Sequence, residues 1–278
     1  MAVFKNGIFA SYNGEIVNPV SNIAASVVAN NFFQSTGITN QQQRYAVYNL
    51  VADLQSYNIW DKMKAIYPMV GQADVSSSFQ VNLKDPNTFR GTFSGSWLYS
   101  DTGVTGNGED TYMDTGIDIS TISKDSIHAS VYNGKTNLWE PNFLFGVYTS
   151  GTNALAASNY PNLIGGQNGL VGFISDLEPD YTVDNVNSGG LYLINRQSSI
   201  IKQHWIRNVK TQYSRSSTAP VPGLTLLLGA NINNLNNIYG INSQENRLFT
   251  VGDGLTDTEA ANLYIAVQRF QTTLGRQV

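Results

Sequence analysis

The sequence predicts a mainly β protein, a β-sandwich closed by a C-terminal helix. Short apolar segments separated by turn residues fill the stretch from Gly71 to Arg247, a pattern typical of sandwiches and barrels. The chain holds 25 glycines and 31 asparagines, and asparagine favours turns over helix interiors. One amphipathic segment follows the last predicted strand. With 278 residues the chain is within the range of one all-β domain, which we assign to residues 37–278.

Residues 1–36 are predicted to form an N-terminal arm that serves attachment or oligomerisation. Asn6-Gly7 and Asn13-Gly14 favour a small hairpin there, because Asn-Gly pairs accept the positive φ angles of two-residue turns. The stretch from Ile23 to Phe33 fits either a short helix or an extended arm.

A pair of short helices is predicted over residues 40–67. Thr39 followed by Gln42 fits a capping box at the start of the first helix, and apolar residues recur behind it at helical spacing. Asn58 is expected to cap the second helix, which Pro68 ends.

Several strands are marked by their apolar patterns. In residues 127–132, Ile127, Ala129 and Val131 alternate with His128, Ser130 and Tyr132, and Asn133-Gly134 then signals a tight hairpin turn. Residues 224–228 are apolar on both faces, as in a central buried strand. Further strands are predicted at 191–194 and 204–209.

The closing helix is predicted over residues 256–274. It follows a strand at 246–251, and Thr256 with Glu259 at the third position forms a capping box. The helix is expected to end at Gly275 and to carry an apolar stripe at helical spacing. The stripe consists of Leu263, Tyr264, Val267, Phe270 and Leu274. Such a lone helix is stable only where the sandwich covers its stripe.

Composition argues against several function classes. The chain has no cysteine, which removes disulfides, zinc–thiolate sites and cysteine nucleophiles. Only 13% of residues are charged, the net charge is −4, and the basic residues of the stretch 202–215 are dispersed, so nucleic acid is not an expected partner. No segment approaches the roughly 20 apolar residues of a membrane helix. We therefore expect no membrane insertion, and because the first residues lack the apolar core of a signal peptide we also expect no secretion signal.

Two parts of the chain resemble a known family. The first part comprises IWDKMKAIYPMVG at 59–71 and NLKDP at 82–86; the second comprises VGDGLTDTE at 251–259 and VQRFQTTLGR at 267–276. The first is similar to the segment leading into concanavalin A-like (laminin-G/lectin-type) domains in structural proteins of tailed bacteriophages. The second resembles the closing segment of those domains. Together the two parts bracket residues 40–278.

The resemblance implies a concanavalin A-like jelly-roll sandwich on the surface of a phage virion, made in the host cytoplasm. It implies other virion proteins as partners, a homo-oligomer, and neither a catalytic residue nor a cofactor. The leading hypothesis is therefore a non-catalytic structural protein, a head fibre or capsid decoration or a tail-fibre component. A receptor- or glycan-binding adhesin module is the alternative, and a glycan depolymerase is a more distant one.

Glycoside hydrolysis needs two carboxylates facing one sugar, and the best candidates are Asp176, Glu178 and Asp180. On a strand this spacing would place all three on one face. Pro179 argues against a ladder position, and the Glu-x-Asp-x-x-Glu signature of the sandwich glycosidases is absent. An acidic loop is the favoured interpretation, with catalysis and a calcium site as alternatives.

Other polar clusters also favour structural roles. The segment 101–118 holds carboxylates among glycines, which suits calcium, but it lacks EF-hand spacing, and turn chemistry is favoured. His128 and His204 have no ligand-like spacing, so no zinc site is expected. The glycine-rich stretch 165–169 lacks the lysine and the helix of a phosphate loop.

A glycan site is the remaining candidate. Trp97, Trp139 and Trp205 could stack on pyranose rings, with asparagine and aspartate side chains bonding the sugar hydroxyls. A sandwich core uses the same aromatic residues, and packing is favoured for each tryptophan. A host surface glycan therefore stays a candidate partner without a located site.

Overall fold

The computed structural model describes residues 4–5, 8–9, 19–72, 76–134, 142–149, 152–164, 167–174, 179–183, 189–218, 223–233 and 235–278. The α-helices within these residues are α1 (Pro19–Thr36), α2 (Gln41–Ser56) and α3 (Asp257–Thr273). Single 3₁₀ turns occupy Trp60–Lys62, Ser76–Ser78 and Ile119–Thr121. The strands in chain order are β1 (Phe4–Lys5), β2 (Ile8–Phe9), β3 (Met63–Tyr67), β4 (Thr92–Ser94), β5 (Leu98–Ser100), β6 (Gly103–Thr105), β7 (Tyr112–Asp118), β8 (Ile127–Asn133), β9 (Asn142–Thr149), β10 (Thr152–Ile164), β11 (Gln167–Ile174), β12 (Asp180–Val183), β13 (Gly190–Ser198), β14 (Ile201–Ile206), β15 (Val209–Ser214), β16 (Thr225–Leu228), β17 (Asn231–Ile232), β18 (Ile238–Tyr239) and β19 (Glu245–Gly252).

Most strands belong to two antiparallel sheets packed face to face. The helix-side sheet has the order β15-β14-β13-β8-β19-β6-β5, and β3 also pairs with β19. The outer sheet has the order β12-β11-β10-β9-β16-β7-β4. Two short hairpins, β1-β2 and β17-β18, stand apart from both sheets. This arrangement confirms the predicted mainly β sandwich and is consistent with a jelly roll.

Alternation along β13 divides the hydrophobic core in two, because successive side chains point to opposite faces of a sheet. Tyr192 and Ile194 pack between the two sheets, whereas Leu191 and Leu193 pack against the helices. Both faces of the helix-side sheet are therefore covered. Every residue of β8 is buried as a result, although its sequence alternates between apolar and polar side chains.

The closing helix forms as predicted. Thr256 Oγ1 accepts a hydrogen bond from Glu259 N, and Glu259 Oε2 accepts one from Thr256 N at 2.7 Å, which completes the capping box. We call the layer between the helix-side sheet and the helices the helix-side core. The stripe is buried there through Leu263, Val267 and Phe270. Gly275 follows at φ 68°, the left-handed conformation in which glycine ends helices. The helix is stable because the sheet and α2 cover its apolar face.

The sequence left residues 23–33 undecided between a short helix and an extended arm. In the structure they lie inside α1. Ala25, Ala29 and Phe32 of α1 are buried in the helix-side core, so this part of the predicted arm packs on the sandwich. β1 and β2 pair antiparallel, as expected for a small hairpin. The attachment role of residues 1–36 stays a prediction. None of the described helices combines the length and apolar character that crossing a bilayer requires.

The cap of α2 differs from the prediction by one residue. Asn40 Oδ1 accepts hydrogen bonds from Gln42 N at 2.9 Å and Gln43 N at 3.1 Å, so Asn40 is the N-cap. The predicted capping box of Thr39 with Gln42 is therefore wrong. Asparagine caps as well as or better than threonine, and its short side chain reaches both amides from this position.

The second helix predicted within 40–67 is also wrong. Asn58 adopts φ 58° and ends α2 instead of starting a new helix. A single 3₁₀ turn follows, and residues 63–67 then form β3, which pairs with β19 from Phe249 to Gly252. The helical spacing of the apolar residues is overridden by this pairing with a strand near the other end of the chain.

One predicted hairpin turn and one predicted strand need correction. Asn133-Gly134 does not form a hairpin, because β8 and β9 belong to different sheets and Gly134 N donates to Glu245 O at 2.8 Å. The predicted strand 204–209 is divided by a turn at Arg207, which adopts φ 57°. The strand predicted at 224–228 is confirmed as central, since β16 pairs with both β7 and β9.

Candidate functional site

A polar cleft of about 600 Å³ opens between α1 and the segment that follows β3. We call it the α1 cleft. Its volume is within the roughly 300–1,000 Å³ typical of small-ligand sites. The residues that line it are Val28, Asn31, Gln34, Ser35, Lys84, Asp85, Pro86 and Asn87.

One wall of the α1 cleft is a face of α1. Val28, Asn31 and Ser35 follow one another at intervals of three and four residues, which places them on the same side of a helix. The adjacent side of α1 is anchored in the core by Ala29 and Phe32, and Val28 packs against the edge of the same core. α1 contains no acidic or basic residue, so this wall offers amide, hydroxyl and methyl groups only.

The other wall is held in place by the buried side chain of Asn82. Asn82 Oδ1 accepts hydrogen bonds from Ile66 N at 2.9 Å and Lys84 N at 3.0 Å, and Asn82 Nδ2 donates to Lys64 O at 3.2 Å. This wall is thus fixed to β3. Asp85 Oδ1 then accepts from Asn87 N at 3.0 Å, which forms an Asx turn. The backbone of this wall is therefore organised by the chain's own hydrogen bonds.

Lys84 supplies the positive charge of the α1 cleft. Its ammonium donates to Trp60 O at 2.7 Å and lies 4.6 Å from the centre of the Trp60 ring. Burial lowers the pKa of Lys84, and the Asp61 carboxylate at 3.7 Å opposes that shift. Because Asp61 is fully exposed, solvent screens this pair. The Lys84 side chain is held against Trp60 by the hydrogen bond and the cation–π contact.

These groups suit a ligand that is rich in hydroxyls. Asn31, Gln34 and Asn87 each present both donors and an acceptor, so they can match an alcohol in either role. Asp85 is the one carboxylate among the described lining residues, whereas glycoside hydrolysis requires two. The arrangement favours binding through hydrogen bonds.

The tryptophans singled out in the sequence lie elsewhere. Trp97 is 8% exposed, donates from Nε1 to Ser94 O at 2.8 Å and packs edge-on against Phe93. Trp205 is 7% exposed and donates from Nε1 to Gln203 Oε1 at 3.2 Å. Both rings pack inside the protein, so neither offers a face to a sugar. Trp139 lies outside the described residues.

The acidic candidates are not brought together either. Asp176 and Glu178 lie outside the described residues. Asp180 opens β12 at the edge of the outer sheet, so it is a strand residue and not part of a solvated loop. It is 3% exposed, and its carboxylate pairs with Lys202 at 2.7 Å and Arg215 at 2.8 Å. Asp180 therefore joins the two sheets electrostatically.

Both histidines are buried in the sandwich. His128 Nδ1 donates to Asp253 O at 2.5 Å, and burial lowers the pKa of His128 to about 4. His204 is hydrogen bonded to Thr182 Oγ1 at 3.0 Å, and burial lowers its pKa to about 3. Within the described part of the chain, no three histidine or acidic side chains are grouped closely enough to hold a metal ion.

Two carboxylates of the segment 101–118, those of Asp114 and Asp118, stabilise turns. Asp114 Oδ1 accepts from Gly116 N at 2.9 Å. Asp118 caps a 3₁₀ turn by accepting from Ser120 N at 2.9 Å and also accepts from Gly223 N at 2.8 Å. These contacts support the turn interpretation given to this segment.

Sequence reasoning missed the α1 cleft. One wall lies within the family-like segment 82–86, so that part carried a signal. Predicting the other wall required recognising residues 19–36 as a helix and knowing which face of that helix is buried. The side-by-side placement of the two walls follows only from the packing of α1 against the domain.

No protein-family model matches the chain, and no curated protein does. Domain 4 of AbnA, a GH43 extracellular arabinanase from Geobacillus stearothermophilus seen in complex with arabinotriose, aligns with a TM-score of 0.46 and 16% identity, over 73% of this chain and 98% of that one. The botulinum neurotoxin serotype D binding domain aligns with a TM-score of 0.50 and 9% identity, over 75% of this chain and 52% of that one.

A structure of botulinum neurotoxin type C, whose cell entry depends upon interaction with two ganglioside molecules, aligns with a TM-score of 0.52 and 9% identity. That match covers 77% of this chain and 53% of the toxin chain, so this chain spans about half the length of the two neurotoxin chains. At these identities the two neurotoxin matches show a shared β-sandwich fold and no more.

Proposed function

We propose that this protein is a non-catalytic carbohydrate-binding module and that the α1 cleft binds a neutral, hydroxyl-rich glycan. The observation that carries the proposal is the cleft itself, which is lined by three carboxamides, a hydroxyl, an ammonium and a carboxylate. Such side chains supply both donors and acceptors to sugar hydroxyls. Val28 and Pro86 provide apolar contact for the C–H faces of a sugar.

The fold is compatible with this role. The type C neurotoxin, which interacts with gangliosides, is built on a similar sandwich. This similarity concerns architecture, and the site must be argued from the chain's own residues. The wall on α1 is uncharged, and the other wall sets one ammonium, Lys84, beside one carboxylate, Asp85; this balance of charge favours a neutral glycan over an acidic one.

The test is binding of the host's surface polysaccharide by calorimetry, with substitutions on both walls. Asn31→Ala and Asn87→Ala should each weaken binding about 3- to 10-fold, the loss expected for one hydrogen bond. Asn30→Ala is the matched control, because Asn30 is also an exposed asparagine of α1 but does not line the cleft. Equal binding by all three variants would refute the site.

A reducing-end assay on the same polysaccharide separates binding from hydrolysis. We expect no release of sugar over hours at micromolar protein. Release that survives the substitutions would show a catalytic centre elsewhere in the chain and would overturn the non-catalytic assignment.

We also propose that the module is carried on the surface of a tailed-phage particle, as a head-fibre or decoration component or in a tail appendage. The resemblance of segments 59–71, 82–86 and 251–276 to such proteins supports this placement. In the structure these segments form β3, one wall of the α1 cleft and α3. Immunogold labelling of intact particles tests it, and particles that carry no label would refute it.

A further inference from the structure

β15 forms one edge of the helix-side sheet and is unusually open for an edge strand. Its six residues pair with β14 in continuous register, and no described strand pairs with its other side. Its side chains are exposed or half-buried along the whole length. An edge of this kind presents unpaired N–H and C=O groups on which another strand can add.

The other sheet edges are protected. β5 and β4 have three residues each and β12 has four, and short edge strands resist pairing with other chains. The free side of β3 is occupied, because Ile66 N donates to Asn82 Oδ1 and Leu83 N donates to Ile66 O at 2.8 Å. Among the described edges, β15 is therefore the exception.

β15 also lacks the usual protective features. It contains no proline and no bulge. Its one charged residue is Lys210. The Lys210 ammonium pairs at 2.5 Å with the carboxylate of Asp257, the first residue of α3, on the face of the sheet that the helices cover. Val209 is 70% exposed, so an apolar side chain stands at the edge without cover. Natural proteins normally blunt such an edge with charge, proline or a bulge.

We propose that β15 is a self-association surface and that it pairs antiparallel with β15 of a second copy, about a two-fold axis at Thr211. An axis perpendicular to the sheet keeps the inner faces of both copies on the same side. Centred on Thr211, it places Lys210 opposite the partner's Gln212 and Val209 opposite the partner's Tyr213. Aromatic and β-branched residues form favourable cross-strand pairs.

The neighbouring registers are poorer. An axis at Lys210 sets two ammonium groups directly opposite each other, which is destabilising. An axis at Gln212 avoids that repulsion but leaves the exposed Val209 beyond the paired region. The register centred on Thr211 is the one that both separates the charges and covers the apolar side chain.

The edge is rigid before association. Tyr213 donates from its hydroxyl to Tyr181 O at 2.9 Å, and Arg215 pairs with Asp180 at 2.8 Å, so β15 is fastened to β12 beneath it. Little ordering is needed on pairing, which favours affinity. This surface lies on the sandwich and is independent of the α1 cleft.

A single cysteine tests the register, because the natural chain has none. Thr211→Cys should form a disulfide-linked dimer under mild oxidation, since antiparallel neighbours bring Cα atoms to about 4.5–5.5 Å. Leu98→Cys is the control: Leu98 is 66% exposed on β5, the edge at the other end of the same sheet. Equal cross-linking of both variants would overturn the proposal.

A charge pair tests the interface without cross-linking. Sedimentation of the full chain should show a concentration-dependent dimer. Gln212→Lys should weaken it and Gln212→Glu should strengthen it, each by about 3- to 10-fold, because position 212 faces the partner's Lys210 twice in the interface. Effects of the same sign in both variants would refute self-association through β15. A wild-type chain that stays monomeric at high concentration as well as after 100-fold dilution would also refute it.

Discussion

Arg276 and Arg247 each donate a hydrogen bond to the other's main-chain carbonyl oxygen. Arg276 Nη2 lies 2.7 Å from Arg247 O, and Arg247 Nη1 donates to Arg276 O. Arg247 belongs to β19 and Arg276 follows α3, so the exchange fastens the residues after the helix to the middle of the helix-side sheet. Glu245 Oε2 accepts from Arg247 Nη2 at 2.7 Å and balances part of the charge.

Removing Arg276 should be strongly destabilising. Its guanidinium also donates to Pro68 O at 2.8 Å, Met69 O at 2.7 Å and Gln271 Oε1 at 2.6 Å. Arg276→Ala should lower the free energy of unfolding by roughly 3–5 kcal/mol, because several buried acceptors lose their donor together. Arg276→Lys should recover only part of this, since an ammonium cannot reproduce the planar fork. Denaturant unfolding measures both variants.

Arg269→Ala is the control for this prediction. Arg269 is also on α3, but it is 48% exposed and pairs with Asp53 at 2.8 Å. Its loss should cost about 1 kcal/mol or less, as for other surface ion pairs. If Arg276→Ala is no more damaging than Arg269→Ala, the reciprocal arginine contact contributes little to stability.

The ion pair between Asp180 and Lys202 predicts a non-additive double variant. Both side chains are buried, with exposed fractions of 3% and 0%. Asp180→Ala leaves the Lys202 ammonium without its carboxylate and should cost about 3–5 kcal/mol. Adding Lys202→Met removes the buried ammonium, whereas the half-exposed Arg215 remains solvated, and should restore at least half of that loss. A double variant as unstable as Asp180→Ala alone would contradict the assignment.

The buried histidines predict acid sensitivity. Burial lowers the pKa of His128 to about 4, below the ordinary value near 6.5 that the unfolded chain has. Between pH 6.5 and 4 the unfolded state therefore binds a proton that the folded state does not. Stability should be constant above this window and fall by about 1.4 kcal/mol per pH unit within it for each such histidine. His204, with a pKa lowered to about 3, adds a second contribution of the same sign.

Substituting His128 tests this pH dependence. His128→Asn keeps a donor near the position of Nδ1, which bonds Asp253 O, but removes the titrating group. The slope of the unfolding free energy against pH between 6.5 and 4 should decrease by about 1.4 kcal/mol per pH unit, which corresponds to one bound proton. Chemical denaturation at a series of pH values gives the slope, and an unchanged slope would assign the acid sensitivity to other groups.

The stripe of α3 predicts position-specific effects of truncation. Leu263 is 0% exposed, whereas Ile265, two residues further along the same helix, is 48% exposed. Leu263→Ala should lower the free energy of unfolding by about 2–5 kcal/mol, the range for leucine removed from a packed core. Ile265→Ala should change it by about 0.5 kcal/mol or less. Similar losses at both positions would show that α3 does not dock through the predicted stripe.

The sequence predicted secondary structure correctly where neighbouring residues determine it. The capping box of Thr256 and Glu259, the stripe ending at Leu274 and the central strand at 224–228 all depend on short-range pattern. Asn40 was missed in favour of Thr39 because both types can cap, and only the backbone geometry shows which side chain reaches the free amides.

The site depended on long-range packing. Gln34 and Asn87 are ordinary polar residues in the sequence, and nothing near either one marks a ligand site. They line the same cleft because Phe32 anchors α1 and Asn82 fastens the other wall to β3. Trp97 and Trp205 stood out by residue type, yet both are buried, because a large aromatic residue serves a core as readily as a sugar site.

Periodicity and capping are properties of neighbouring residues, and they were enough to predict a β-sandwich with a docked C-terminal helix. The three-dimensional arrangement was needed to show that residues 63–67 form a strand, that Asn133-Gly134 makes no hairpin and that α1 borders a cleft. These three features have one cause in common. Each depends on a contact between segments far apart in the chain, and the free energy of such contacts outweighs local preference.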